Sequence, residues 1–290
     1  MTLEQLLAMG VKRLEQAGVP EAGLNAWYLL RACFAGSNCS FERSDYFLRK
    51  EEEAGQAVRD RYEALLSKRE KRIPLEYITG CTEFMGLSFS VDENVLVPRQ
   101  DTEILVEYIY PFCKGKRVLD LCTGSGCIGL SIGVFGKPSR IVLSDLSEGA
   151  LRVAEMNAVH LKKRMADEWN AEVTVVCGDL FEPVTGTFDV IVSNPPYIES
   201  DVIPGLMPEV SRFEPPEALD GGDDGLLFYR RIIKEAPGYL NDGGILCFEI
   251  GCEQGESVSS LMSERGFEKI EIKKDLAGND RVVSGYFVSV

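Results

Sequence analysis

A single histidine, His160, is all the imidazole in this chain of 290 residues, and its nine cysteines include no Cys-x-x-Cys pair. A metal centre built on His and Cys ligands has little to draw on, so no metal is expected. His160 falls in a helical pattern and reads as a surface or core residue. Scattered thiols in odd number fit a reducing compartment better than a disulfide framework. No run of 18 or more apolar residues occurs, so no membrane-spanning helix is expected. The opening MTLEQLLAMGVKRLEQAG has an amphipathic pattern with early acid, not the basic-then-apolar layout of a signal peptide. A cytoplasmic location is expected from it. Residues 1–75 hold no internal repeat or low-complexity tract. Basic residues are too few to balance the acids: the net charge of −15 weighs against duplex DNA as the main partner, because such binding needs phosphates neutralised by Lys and Arg.

The deficit is unevenly placed. Residues 1–75 hold 12 Lys and Arg against 11 Asp and Glu, whereas the remainder holds 19 against 35. Two domains with different surfaces follow from that contrast. With 45% hydrophobic residues the chain can bury a sizeable core.

Residues 1–75 read as a small helical bundle. Leu3, Leu6, Leu7, Val11 and Leu14 recur at spacings of three and four, as do Trp27, Leu30 and Phe34, and then Val58, Tyr62, Leu65 and Leu66. Gly18-Val19-Pro20 and Gly36-Ser37-Asn38 separate the segments, and Pro74 ends the last helix. The cluster KREKR at 68–72 reads as a solvated helix end, with a basic docking patch as the alternative. Residues 76–103, with β-branched and aromatic residues around Gly80, Gly86 and Asp92-Glu93-Asn94, read as a hairpin linker.

From residue 104 the pattern alternates between strands and helices. Strands are expected at Arg117–Cys122, Ile141–Asp145, Val173–Cys177, Phe188–Ser193, Gly244–Ile250, Lys269–Lys273 and Val282–Val288. Alternation of this kind implies right-handed crossovers and a doubly wound, mostly parallel sheet. Ligands bind such sheets beyond the C-terminal strand ends, where the strand order reverses.

The stretch LDLCTGSGCIGL (119–130) runs from a strand into a helix, and its glycines let backbone N–H groups approach a ligand. Gly124-x-Gly126-x-x-Gly129 also fits the dinucleotide fingerprint, with Asp145 placed to bind ribose hydroxyls. A nicotinamide dehydrogenase and an S-adenosylmethionine (SAM) enzyme both satisfy this loop, and Asp145 also reads as a plain helix cap. The stretch Asn194-Pro195-Pro196-Tyr197 discriminates between them. An amide or exocyclic amine nitrogen is a poor nucleophile, because its lone pair is delocalised. The Asn194 side-chain oxygen and the Pro195 carbonyl, held stiffly past a strand end, can accept its two N–H bonds. They then align the nitrogen with an electrophilic methyl group and stabilise the positive charge that develops on it. Tyr197 is expected to stack on a planar substrate or close the pocket.

Together, Asp-x-x-Thr-Gly-Ser-Gly at 120–126 and Asn-Pro-Pro-Tyr at 194–197 resemble the SAM-dependent amino-methyltransferases. RIPLEYITG (72–80), VLVPRQDTE (95–103), EPPEALDGGDDGL (214–226), FEIGCEQG (248–255) and Arg281-Val282-Val283 are similar to the release-factor glutamine methyltransferases of the HemK/PrmC family. The resemblance implies an α/β fold. A seven-stranded class I methyltransferase sheet (104–290) would follow a helical substrate-recognition domain (1–75) and a hairpin linker (76–103). It implies N5-methylation of the glutamine in the Gly-Gly-Gln motif of peptide-chain release factors, by a monomeric enzyme with no direct nucleic-acid or membrane binding. Carried over, Asp120, Cys122, Thr123, Gly124, Ser125 and Gly126 would form the cofactor loop, and Asp145 would bind the ribose. Asp179, Leu180 and Phe181 would flank the adenine, and Thr102 and Glu103 would line the methionine end. Asn194, Pro195, Pro196 and Tyr197 would hold the glutamine, with Asn194 also near the cofactor.

Two residues depart from the family pattern. Cys122 replaces the first loop glycine, which is tolerable where φ is not positive, and Leu180 stands where relatives often have tryptophan. A related enzyme acting on a ribosomal-protein glutamine shares the catalytic stretch. A nucleic-acid amino-methyltransferase calls for a basic face that the acidic C-terminal domain lacks. A non-catalytic SAM-binding module leaves Asn194 without a purpose. Buried packing is the default for Cys127, Cys247 and Cys252.

Overall fold

The computed structural model describes residues 1–34, 41–166 and 169–288; the expected break at Gly36-Ser37-Asn38 lies outside them. The chain divides into two units, Met1–Gly80 with Met207–Phe213, and Cys81–Leu206 with Glu214–Val290. The division falls after Gly80, beyond the expected boundary at 75, and a short later excursion joins the helical unit.

In the first unit, helices α1 (Leu3–Gln16), α2 (Ala22–Ala32), α3 (Arg43–Arg49), α4 (Gln56–Arg69) and α5 (Leu75–Thr79) are described. Thr2 opens α1 with a capping box: its hydroxyl accepts from Gln5 N at 3.2 Å, and the Gln5 side chain accepts from Thr2 N at 3.0 Å. The predicted apolar stripes meet in one core, where Leu6, Leu14, Leu30, Tyr62 and Leu66 are buried. Gly10 permits the close approach of α1 and α4, since a Cβ there would stand 2.0 Å from the Tyr62 hydroxyl oxygen. α4 ends at Arg69, ahead of Pro74, which instead precedes α5.

The basic cluster at its end is solvated only at Lys68 and Lys71, which are exposed. Arg69 is buried and donates to Asn25 Oδ1, Ile73 O and Glu209 Oε1, and Arg72 binds both oxygens of the same Glu209. Glu209 belongs to the excursion, so an ion triad fastens that segment to the helices.

The second unit starts with a hairpin, β1 (Cys81–Phe84) and β2 (Leu87–Ser90), turned by Met85 and Gly86 at φ 54° and 69°. The hairpin is shorter than the expected linker, and residue 100 already begins α6 (Gln100–Ile109). Next come β3 (Arg117–Leu121), α7 (Cys127–Gly136), β4 (Arg140–Asp145), α8 (Glu148–Arg164), β5 (Glu172–Cys177) and β6 (Phe188–Ser193). The chain then supplies α9 (Pro208–Phe213) to the first unit, and returns for α10 (Leu227–Glu235), β7 (Leu240–Glu249), α11 (Gly255–Glu264), β8 (Phe267–Lys274) and β9 (Asp280–Phe287).

Seven strands form one sheet in the order β5-β4-β3-β6-β7-β9-β8, parallel except that β9 runs antiparallel to both neighbours. Neighbouring strand residues point to opposite faces. Val118, Ile141 and Val190 pack on the face covered by α6, α7 and α8, and Leu119, Val142 and Ile191 on the face covered by α10 and α11. Burial on both faces is why these strands read as continuous apolar runs. Strand order reverses between β3 and β6, whose last residues Leu121 and Ser193 are paired. The glycine loop and the Asn-Pro-Pro stretch therefore leave the sheet side by side, the adjacency on which the expected site depends. Among the described residues no helix is long and apolar enough to cross a membrane.

Candidate active site

Beyond the ends of β3 and β6 lies a cavity of about 590 Å³. Its floor is the glycine loop. The backbone takes positive φ at Cys122 (57°), Gly124 (54°) and Gly126 (79°) ahead of α7, and its N–H groups at Thr123, Gly124 and Gly126 donate to Ser144 O, Asp145 Oδ2 and Thr123 O. A Cβ added at Gly124 would meet nothing within 4 Å, so this backbone is open to a ligand. The condition for tolerating Cys122 fails: its φ is positive, and a non-glycine residue sits in the left-handed region.

Asp120 holds this loop from beneath. Its Oδ2 accepts from Thr123 Oγ1 at 2.6 Å and from Gly129 N at 2.9 Å, with the residue wholly buried. Burial pushes its pKa up to about 7, against the two hydrogen bonds and with the neighbouring Asp145 charge. Gly129 leaves room for the carboxylate, since a Cβ there would stand 2.9 Å from Oδ2. Asp120 does not line the cavity and acts through the loop. Gly126 likewise faces Leu130 and Ala154.

Asp145, at the end of β4, does line the cavity. Its Oδ2 accepts from Gly124 N at 2.8 Å and its Oδ1 from Ser147 N at 3.0 Å; burial raises its pKa, against these bonds. The cap of α8 is Ser147, whose hydroxyl accepts from Ala150 N at 3.2 Å. Asp145 is thus free of the helix-cap role.

Past β5, Asp179 and Leu180 reach the cavity, and Leu180 has φ 52°. Asp179 is paired with Arg231 at 2.6 Å. Phe181 faces away, stacked on Tyr239 with ring centroids 4.5 Å apart in the core. The expected adenine-flanking triplet therefore loses one member. Phe228, which the sequence reading missed, brings an aromatic ring to the wall, and Leu146 adds apolar surface.

At the end of β6, the Ser193 hydroxyl donates to Leu121 O at 2.8 Å and ties the two strand ends together. Asn194 and Pro196 line the cavity, and the Asn194 Nδ2 donates to Thr102 Oγ1 at 3.4 Å. Pro195 and Tyr197 do not line it. Tyr197 turns its hydroxyl toward Glu249 Oε1 at 3.5 Å, and burial pushes its pKa well up. The stretch EPPEALDGGDDGL braces this segment: Ile198 N donates to Leu219 O at 3.0 Å, and Gly221 N to Ile198 O at 2.8 Å. Its glycines are required by contact, because Cβ atoms at Gly221 and Gly225 would lie 2.7 and 2.4 Å from the Tyr197 backbone.

Thr102 lines the cavity, but Glu103, one residue on, does not. On α6 adjacent residues face different ways, and Glu103 Oε1 instead accepts from Met85 N at 2.6 Å in the hairpin turn. Arg99, at the start of α6, lines the cavity and pairs with Glu214. Its signal lay in VLVPRQDTE, where only Thr102 and Glu103 were singled out. Cys127 and Cys247 are buried as expected, whereas Cys252 is exposed. Among the described residues no cluster of His, Cys, Asp and Glu can hold a metal.

A glycine loop open at Gly124, an acid at the end of β4, apolar walls and acidic residues around an open space fit an adenosyl cofactor bearing a cationic sulfonium.

Comparison with known proteins agrees with that chemistry. A family model described as the PrmC N-terminal domain matches residues 5–80, and one described as the methyltransferase small domain matches 99–205. The release factor glutamine methyltransferase of Clostridium botulinum is 39% identical over 287 residues, 98% of each chain. The same-named protein of Moorella thermoacetica is 40% identical over 291 residues, 99% of each chain. Among solved structures, a methyltransferase from Pyrococcus furiosus shares the fold with a TM-score of 0.51 at 20% identity, over 71% of this chain and 91% of that one.

Proposed function

Because the chain belongs to the release factor glutamine methyltransferase family, we propose that it methylates the side-chain amide nitrogen of the Gly-Gly-Gln glutamine of peptide-chain release factors, in the cytoplasm, with SAM as donor. Bound SAM supplies a methyl group already activated on a sulfonium. Asp145 accepts hydrogen bonds from the ribose hydroxyls while its other contacts, to Gly124 N and Ser147 N, keep it aligned. The loop at Thr123, Gly124 and Ser125, which lines the cavity, receives the methionine part. Cys122, Asp179 and Leu180 line the same space.

Asn194 Oδ1 accepts one N–H bond of the substrate amide, and the carbonyl of Pro195, which lies between the cavity-lining Asn194 and Pro196 without lining the cavity itself, is left to accept the other. That contact holds the nitrogen facing the methyl group and favours the charge it gains. One N–C bond forms, the C–S bond breaks, and the nitrogen then releases a proton to water. Nothing in this sequence of events calls for a protein nucleophile.

The observation that carries the proposal is the placement of Asn194: it lines the cavity beside the glycine loop, because β3 and β6 are neighbours. The test uses radiolabelled-methyl SAM with a release factor and with the same factor lacking the Gly-Gly-Gln glutamine. Label on the intact factor alone is expected, and it should fall to near background with Asn194→Ala although SAM still binds. Equal labelling of both factors, or near wild-type turnover by Asn194→Ala, refutes the proposal.

A further inference from the structure

An amide side chain can present either its oxygen or its NH2 group, and the two ends have nearly the same shape. The proposed reaction needs the Asn194 oxygen toward the substrate, because an NH2 there would oppose the N–H bonds it must receive. Something has to choose between the two orientations.

Behind Asn194 stand two side chains from other elements. Thr102 on α6 is 2% exposed, and its Oγ1 lies 3.4 Å from Asn194 Nδ2. Glu249, the last residue of β7, is 1% exposed. The Thr102 hydroxyl faces its carboxyl and acts to lower its pKa; Tyr197 Oη stands 3.5 Å from Oε1, and the buried Oε2 has no hydrogen-bond partner among the described residues. A threonine hydroxyl has one proton to give and lone pairs to receive with.

We propose that Thr102 and Glu249 are positioning residues that set the orientation of the Asn194 amide: the Glu249 carboxylate accepts a hydrogen bond from the Thr102 hydroxyl, the Thr102 lone pairs then accept from Nδ2–H, and Asn194 Oδ1 is left facing the substrate. The inference rests on the glutamine-methylating function proposed above. Thr102 touches the cavity, but its part here is to fix Asn194, and Glu249 acts only through Thr102.

The surroundings make the device sensitive to proton concentration. Burial pushes the Glu249 pKa up to about 7, against the Thr102 hydrogen bond and the Arg281 charge from β9. Asp101 on α6 raises it further. Tyr197, Tyr229 on α10 and Cys127 on α7 are the other titratable groups facing it; their own pKa values are raised, so they stay neutral near pH 7. The Tyr229 hydroxyl donates to the Glu249 backbone carbonyl at 2.8 Å. Once protonated, Glu249 offers a proton to Thr102 instead of taking one, and the hydroxyl is freed to donate to Asn194 Oδ1, which favours the flipped amide.

The experiment measures kcat for methylation of a release factor at saturating SAM across pH 6–9, for the wild type, Thr102→Val, Thr102→Ser and Glu249→Gln. Saturation removes the effect of other titrating groups on SAM affinity. Thr102→Val, equal in shape but without the hydroxyl, is expected to lower kcat by at least about tenfold, more than it changes KM for the factor. Thr102→Ser restores it. The wild-type kcat is expected to rise through about pH 7, and Glu249→Gln to lose that rise. A wild-type kcat in Thr102→Val, or an unchanged rise in Glu249→Gln, overturns the inference. Should Thr102→Val fail to fold, the serine variant and the Glu249→Gln profile decide. Failure of the wild type to label the factor at all would instead refute the proposed function, so the two are told apart.

Discussion

Glu209 lies far along the chain from the helices it joins, yet replacing it should damage the helical unit more than most surface changes. Its carboxylate takes Arg69 Nη2 at 2.7 Å, Arg72 Nη2 at 2.6 Å and Arg72 Nε at 2.6 Å, and the three side chains are 10%, 6% and 19% exposed for Glu209, Arg69 and Arg72. Burial acts to raise its pKa, but the hydrogen bonds from Arg72 and Arg69 win and hold it near 2, below the ordinary 4.5. At 1.36 kcal/mol per pH unit that difference is worth roughly 3 kcal/mol at neutral pH. Removing one partner of a buried pair costs about 3–5 kcal/mol by general experience, because the remaining charge is left uncompensated. Both routes lead to the same size for Glu209→Ala, about 3 kcal/mol.

The chain has two tryptophans, with Trp27 in the helical unit and Trp169 in the other, so a Trp169→Phe background isolates the helical signal in urea unfolding. A depressed carboxylate pKa contributes stability that is fully present above the unfolded value and is lost as pH falls through the folded one. The gap between wild type and Glu209→Ala should therefore be full at pH 7 and narrower by about 1 kcal/mol at pH 3.5. A gap below about 1 kcal/mol at pH 7, or one that does not change on acidification, refutes the reasoning.

Asp145→Ala should weaken SAM binding by about 1.5–3 kcal/mol, the scale of hydrogen bonds to a charged group; an unchanged dissociation constant in calorimetry would contradict a ribose contact. Cys122 has φ 57°, so Cys122→Val, β-branched in a left-handed conformation, should cost about 1–3 kcal/mol in thermal unfolding. Cys122→Gly should stay within about 1 kcal/mol, because relieved strain is offset by unfolded-chain entropy. Equal melting of the valine and cysteine forms would count against strain at this position. The acidic balance beyond residue 75, with 19 basic residues against 35 acidic, should attract a basic release-factor domain, and stopped-flow association should slow as salt rises. A rate indifferent to ionic strength would argue against electrostatic steering.

What the amino-acid order determined by itself was local or periodic. Apolar spacing located helices and strands, three glycines after an apolar strand marked a ligand-binding turn, and two prolines after Asn194 marked a stiff strand end. Each of these depends on neighbours a few residues apart, which is why each was legible. The neighbouring of β3 and β6 is not a matter of periodicity, and only pairing in the sheet settled it.

Side-chain direction was not legible in the same way. Glu103 and Thr102 are adjacent in sequence, yet one closes a hairpin turn and the other reaches the cavity. Phe181 left the expected site for the core. The cluster at 68–72 looked solvated because its partner, Glu209, lies in a distant excursion of the chain. Asn194, Thr102 and Glu249 likewise come from separate elements. A buried charge or amide must find a partner wherever the fold brings one within reach, since leaving water unpaired is costly. That search runs through space, not along the chain, so its outcome was decided only by tertiary packing.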